Sequence, residues 1–254
     1  MRVSIVTVIF VGAFAFGGMS RHAAAQSPAG VRVATASPAV DKAPKFKFIL
    51  FWKEDNAATQ GMTAALKSVL ATRAQAAEWT SVNIRDPANS EVVERYHVER
   101  APMPMVLCVA PNGAVTGGMR QVTEENIARV LVTPAMTDAN KALQDKKIVL
   151  IHVMRNARQS LPAGAAEFVA DPTFNTRTAT VNVVVGDPVE SRFVNEMEIK
   201  AVDVADSIVV VLAPPGVLVG KFPAATTGSQ IAAALHAAGK CCDDPNCKHN
   251  QKGQ

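Results

Sequence analysis

The spacing of apolar positions changes several times along the chain, and each change marks an element. Ile49, Leu50, Phe51 and Trp52 form a short apolar run suited to a strand buried on both faces; Asp55 or Asn56 can cap the helix behind it, where Met62, Leu66, Val69 and Leu70 recur at helical spacing. The pattern predicts strand 46–52, helix 56–78, strand 80–84 and a short helix over 89–98. A loop over 99–104 then leads to strand 105–110, a Pro111-Asn112-Gly113 turn, strand 114–119 and a helix over 123–131 capped by Thr123. Strands separated by helices imply parallel neighbours, whereas the Pro-Asn-Gly turn implies an antiparallel pair. The predicted sheet is therefore mixed.

The same order returns about a hundred residues later. VNIRDPANSEVVERYHV (82–98) lies over VNVVVGDPVESRFVNEMEI (181–199), VLCVAPNGAVTGG (106–118) over VVVLAPPGVLVGK (209–221), and TEENIARVL (123–131) over TGSQIAAAL (227–235). Matching blocks in one order, with offsets drifting only from 99 to 104, indicate an internal duplication. Each copy holds enough strands and helices to close its own core, so two domains are expected, at 45–133 and 137–239. Residues 133–137 read as the linker between them with Pro134 as a stop, and 138–146 as a short leading helix of the second copy.

Composition fits this picture and narrows the function. A chain of 254 residues, 48% hydrophobic and 19% charged, has ample apolar material for two small cores. At the N-terminus, Met1-Arg2, an apolar run to Gly18 and the small residues Ala23-Ala24-Ala25 read as a secretory leader over 1–25, cleaved after Ala25. An uncleaved anchor is the competing reading. Residues 26–44, rich in Ala, Ser, Pro and Val without period, read as a linker. Without Arg2 and Arg21 the formal charge falls from +4 to +2, and only one Tyr and two Trp are present. Neither nucleic acid nor, after leader cleavage, a membrane is implied as partner. The expected location is outside the cytoplasm, periplasmic or secreted.

The first copy resembles the thioredoxin-like superfamily. Phe51-Trp52-Lys53-Glu54-Asp55-Asn56-Ala57-Ala58-Thr59 looks like that family's F-W-x-E-W-C-G-P-C stretch, and Arg100-Ala101-Pro102-Met103-Pro104-Met105 followed by VLCVAPNG looks like its cis-proline loop and hairpin. The resemblance implies an α/β fold of two tandem thioredoxin-like domains, each a mixed central sheet flanked by helices. It places Asn56 and Thr59 at the positions of the two redox cysteines, and Met103-Pro104 at the cis-proline loop. In the second copy it places Ala157 and Ser160 at the cysteine positions and Ser207 at that of the proline. Thiol–disulfide exchange needs a thiolate, which neither amide nor hydroxyl replaces, so ordinary thioredoxin catalysis at either elbow is excluded.

Other chemistry is sparse. Cys108 lies mid-strand in VLCVA and reads as a buried, inert thiol; His152 reads as a satisfied core or strand-end histidine, and His97 and His236 as helix-surface residues. No Gly-rich phosphate loop, nucleophile elbow or paired-His motif occurs. Reactive residues gather only in the tail, 240–254, where Cys241, Cys242, Cys247 and His249 fall within nine residues. They would suit a Cys242–Cys247 disulfide with Cys241 left over, a soft Zn²⁺ or Cu⁺ site, or a solvated tail without chemistry. The expected function is an exported, non-catalytic module that binds a protein or peptide and carries no cofactor; the alternative is redox or soft-metal handling through the tail.

Overall fold

Two four-stranded sheets carry the chain in a computed structural model that describes residues 44–240 except 201, 203 and 205. The first copy runs β1 (Phe46–Trp52), α1 (Ala57–Ala71), β2 (Ala77–Asn83), a 3-10 turn (Pro87–Asn89), α2 (Ser90–Tyr96), β3 (Met105–Val109), β4 (Val115–Met119) and α3 (Glu124–Val130). Its strands lie in the order β2-β1-β3-β4, with β1 and β2 parallel and the other two pairs antiparallel. The alternation along β1 explains the layers. Phe48 and Leu50 join Leu66, Leu70, Ile127 and Val130 under α1 and α3, while Ile49 and Phe51 join Val93 and Val98 under α2. Phe48, Leu50 and Phe51 are wholly buried, and each contributes about 1.5–3 kcal/mol by leaving water.

The second copy opens with α4 (Pro134–Gln144) and continues through β5 (Ile148–Met154), α5 (Ala163–Ala170), a 3-10 turn (Asn175–Arg177), β6 (Thr178–Val184), α6 (Ser191–Glu196), β7 (Ser207–Ala213), β8 (Val217–Pro223) and α7 (Gly228–Lys240). Strand order β6-β5-β7-β8 repeats the first sheet, parallel and antiparallel pairs included. One face of β5 is covered by α5 and α7 through Ala165, Phe168 and Ile231; the other is covered by α4 and α6 through Ala135, Ala139, Phe193 and Val194. Both copies fall in one compact unit that starts at Lys45.

Three readings of the sequence need correction. The helix expected over 56–78 stops at Ala71, and the strand expected from residue 80 already begins at Ala77. Intrinsic preference favours helix through the Ala-rich run 71–78, but Ala77 to Asn83 pairs residue for residue with β1 and buries Ala77 and Val82. Pro134 does not stop a segment. It is the first residue of α4, where its missing N–H costs nothing, and Thr133 caps that helix by accepting from the Met136 N–H at 3.3 Å. The helix expected over 138–146 therefore starts at 134, leaving only residues 131–133 between α3 and α4. The third correction concerns the second elbow, described next.

Candidate functional site

Where β1 meets α1, the chain turns through Lys53-Glu54-Asp55 and the helix starts at its cap, Asn56. The Asn56 Oδ1 accepts from the Ala58 and Thr59 N–H groups, both at 3.1 Å, and so occupies two of the free donors of the first turn. Thr59 is buried and donates its hydroxyl to the Glu54 carbonyl at 2.7 Å. Both positions aligned with redox cysteines are thus engaged in closing the turn. The rim is polar: Arg85 meets Glu54 at 3.2 Å, Gln60 donates to Asp55 at 3.2 Å, and the half-buried Trp52 donates its indole N–H to Ser81 at 2.8 Å.

The Met103–Pro104 peptide bond is cis, and Met105 pairs with Phe51, so Pro104 falls beside the end of β1 next to this elbow. Met103, Pro104 and Trp52 are all half-buried and leave apolar surface in solvent there. Ile84 extends the β1 pairing by donating to the Trp52 carbonyl at 2.9 Å. With Arg85, Asp86, Ser90, Val93 and Glu99 it lines an open depression of about 390 Å³.

The second elbow is built differently. After β5 the chain makes a turn in which Asn156 accepts from the Arg158 N–H at 3.1 Å, and the Gln159 side chain returns to the Arg155 N–H at 3.0 Å. Arg155 and Gln159 also donate to the Val204 and Asp206 carbonyls, tying the turn to the segment before β7. Ala157 and Ser160 are exposed in this loop, and α5 begins only after Pro162, without a side-chain cap. The buried faces of the strands show why the sequence alignment slips. Phe51 joins Val93 and Val98 under α2 as Val153 joins Phe193 and Val194 under α6, and Phe48 corresponds in the same way to Leu150 on the other face, which aligns β1 with β5 at an offset of 102, one more than the match of Asn56 and Thr59 to Ala157 and Ser160 assumes. Ser207 opens β7, is buried, and follows a trans peptide bond.

Cys108 sits in mid β3 with its thiol pushed up to about 12 by burial, opposed by a hydrogen bond to Thr116. That group stays protonated at physiological pH. His152 is 2% exposed in mid β5, and burial holds its pKa below the ordinary 6.5, opposed by a hydrogen bond to Asn182. Its Nε2 has no hydrogen-bond partner, so the expectation of a satisfied core histidine holds for only half of the ring. His97 is the left-handed residue that ends α2, and exposed His236 meets the Phe174 ring edge-on at 6.4 Å. Cys241, Cys242, Cys247 and His249, together with residues 1–25 and 26–43, lie outside the described residues. Among the described residues, no three His, Cys, Asp or Glu side chains are grouped to hold a metal ion.

Sequence reasoning missed Glu190 and Arg192, on either side of the Ser191 that begins α6. Glu190 is buried, and its Oε1 accepts from the Ala135 N–H at the start of α4 at 2.9 Å. Arg192 donates to the Ala128, Arg129 and Leu131 carbonyls at the end of α3, at 3.0, 2.9 and 3.3 Å. The signal was present in the repeat itself. The aligned residues of the first copy are Asn89 and Glu91, so the charge at the second position is reversed between copies.

Strand order, the mixed pairing and the helices on both faces give each copy the thioredoxin-like fold. No family model matches the chain, and no curated protein matches it. Similar solved structures include the first two thioredoxin domains of Naumovozyma dairenensis Eps1p, at 11% identity, covering 73% of this chain and 88% of that one with a TM-score of 0.29. The N-terminal N/C domain of the Enterococcus faecalis alkylhydroperoxide reductase AhpF is 14% identical, with 75% and 90% covered and a TM-score of 0.28. Zinc-bound human ERp44 is 13% identical, with 76% and 56% covered and a TM-score of 0.32.

Proposed function

We propose that this tandem thioredoxin-like protein is exported and works as a non-catalytic module that binds a protein or peptide. One observation carries the reading: at the first elbow the positions of a redox pair hold Asn56 and Thr59, whose side chains are consumed in capping α1 and closing the turn. Such an elbow offers no thiolate, while the half-exposed Trp52, Met103 and Pro104 beside it supply an apolar contact with a polar rim of Lys53, Glu54 and Arg85. The partner would be a polypeptide presenting apolar side chains to that rim.

A second reading rests on the tail, where three of the four cysteines and a histidine gather. There the protein would act through a Cys242–Cys247 disulfide or a soft metal ion held by Cys241, Cys242, Cys247 and His249. The two readings separate in one comparison. The full chain carrying C241S, C242S and C247S is expected to show no insulin reduction above background and to retain partner capture; capture should instead fall at least tenfold in M103D. Turnover by the triple variant would defeat the non-catalytic reading. Loss of capture in the triple variant, with M103D unaffected, would move the function to the tail.

A further inference from the structure

The joint between the copies is gripped from both sides by two residues that the duplication changed. Only residues 131–133 connect α3 to α4. On one side, the Arg192 guanidinium meets three carbonyls at the C-terminal end of α3, where the helix dipole is negative, and its Nε is fixed by Glu196 at 2.8 Å. On the other, the buried Glu190 carboxylate meets the N-terminal end of α4, where the dipole is positive. Had the second copy kept the residues of the first, Glu91 would stand in place of Arg192 and set a carboxylate against those carbonyls. The joint as built requires the reversal.

Two further contacts hold α4 against the hairpin of the first copy. Asn112 donates to the Thr137 carbonyl and to Asp138, each at 3.1 Å. At the far end of α4, the Gln144 side-chain amide takes the place of a strand peptide beside the edge of β4, accepting from the Val115 N–H at 3.0 Å and donating to the Val115 carbonyl at 2.7 Å. Meanwhile Ala135, Ala139 and Ala142 bury the opposite face of α4 in the second core. The helix is therefore anchored in one copy and hydrogen-bonded to the other at both ends, which removes the hinge that so short a connection would otherwise offer.

We propose that Arg192 and Gln144 lock the two thioredoxin-like copies into one rigid body, so that both elbows are presented to a partner at a fixed separation and orientation. Calorimetry and small-angle scattering on the full chain test this. The wild type is expected to unfold in one transition, and R192A in two, with a larger radius of gyration; Q144A moves both readouts the same way by less. Two resolved transitions in the wild type, or an R192A protein with one transition and unchanged scattering, would overturn the lock. Should R192A not fold, R192K, which keeps the charge but loses the forked donors, carries the test. An enlarged radius supports the lock and a wild-type radius rejects it.

Discussion

At the Asp turns, the ends of α2 and α6 and the hairpins, the two copies agree down to single hydrogen bonds. Asp86 accepts from Ala88 as Asp187 accepts from Val189; α2 ends at left-handed His97, φ 50°, and α6 is followed by left-handed Glu198, φ 51°. Val98 donates back to Val93 and Ile199 to Val194, burying all four. The hairpins carry their bulges at Cys108/Val109 and Val211/Leu212, and turn at Gly113 and Gly216, both at positive φ. These features are requirements of the turns and strand ends, met by the same residue at the Asp turns and hairpin glycines and by different side chains at His97 and Glu198. The elbows have no such agreement: fifteen residues of capped α1 stand against eight of uncapped α5. Sheet register survives this because it depends on strand pairing and buried alternation, not on how the chain enters the next helix. The elbow can be rebuilt without cost to the sheet.

The largest expected effect probes how the shorter helix of the second copy is seated. A Cβ on Gly164 would lie 2.0 Å from the Thr226 carbonyl oxygen and 2.6 Å from the Thr227 Cα, so α5 meets the start of α7 backbone to backbone. Backbone cannot swing aside as a side chain can. G164A is expected to destabilise the protein by about 3 kcal/mol or more, at the upper end of overpacking costs, read as the shift in urea midpoint. A shift under about 1 kcal/mol would mean that the close seating of α5 is not needed.

A smaller effect comes from the central strands, where Leu50 of the first copy corresponds to His152 of the second. Because burial lowers the folded pKa of His152, the unfolded chain takes up its proton first as pH falls. Stability is therefore undiminished above about pH 6.5 and declines as pH drops from there toward the folded value. H152L removes both the orphaned Nε2 and this slope; it is expected to gain about 1 kcal/mol at pH 7 and more at pH 5.5. Urea unfolding across that range decides it. A wild-type slope retained in H152L would show that His152 is not the source of the pH dependence.

The duplication and both mixed sheets were legible because period-2 runs, Asp-Pro turns and Gly-bearing hairpins leave local marks. Helix ends were less so. The run 71–78 has helical preference and became turn and strand through pairing with β1, which no local window contains. Pro134 was read as a stop because proline breaks helices, although the same ring suits a first turn, and Thr133 before it was the available clue. At the candidate site, Asn56 was recognisable as a cap, but the use of the buried Thr59 hydroxyl in closing the turn was not. Glu190 and Arg192 could be seen to differ from Asn89 and Glu91, yet their purpose depends on a contact some 60 residues distant in the chain.

The smallest effect completes the comparison of the two elbow helices. Gly61 lies inside α1, exposed, and a Cβ there would meet nothing within 4 Å. Its only consequence is the greater backbone freedom it returns to the unfolded chain and the lower helical preference it brings to α1. G61A is therefore expected to stabilise by about 0.5–1 kcal/mol, opposite in sign to G164A although both replace a helical glycine by alanine. Measured side by side in urea, the pair separates a glycine required by close backbone approach from one that the first copy merely tolerates. Destabilisation by G61A would place an unrecognised contact on the outer face of α1, where a partner or the described chain itself would then have to be sought.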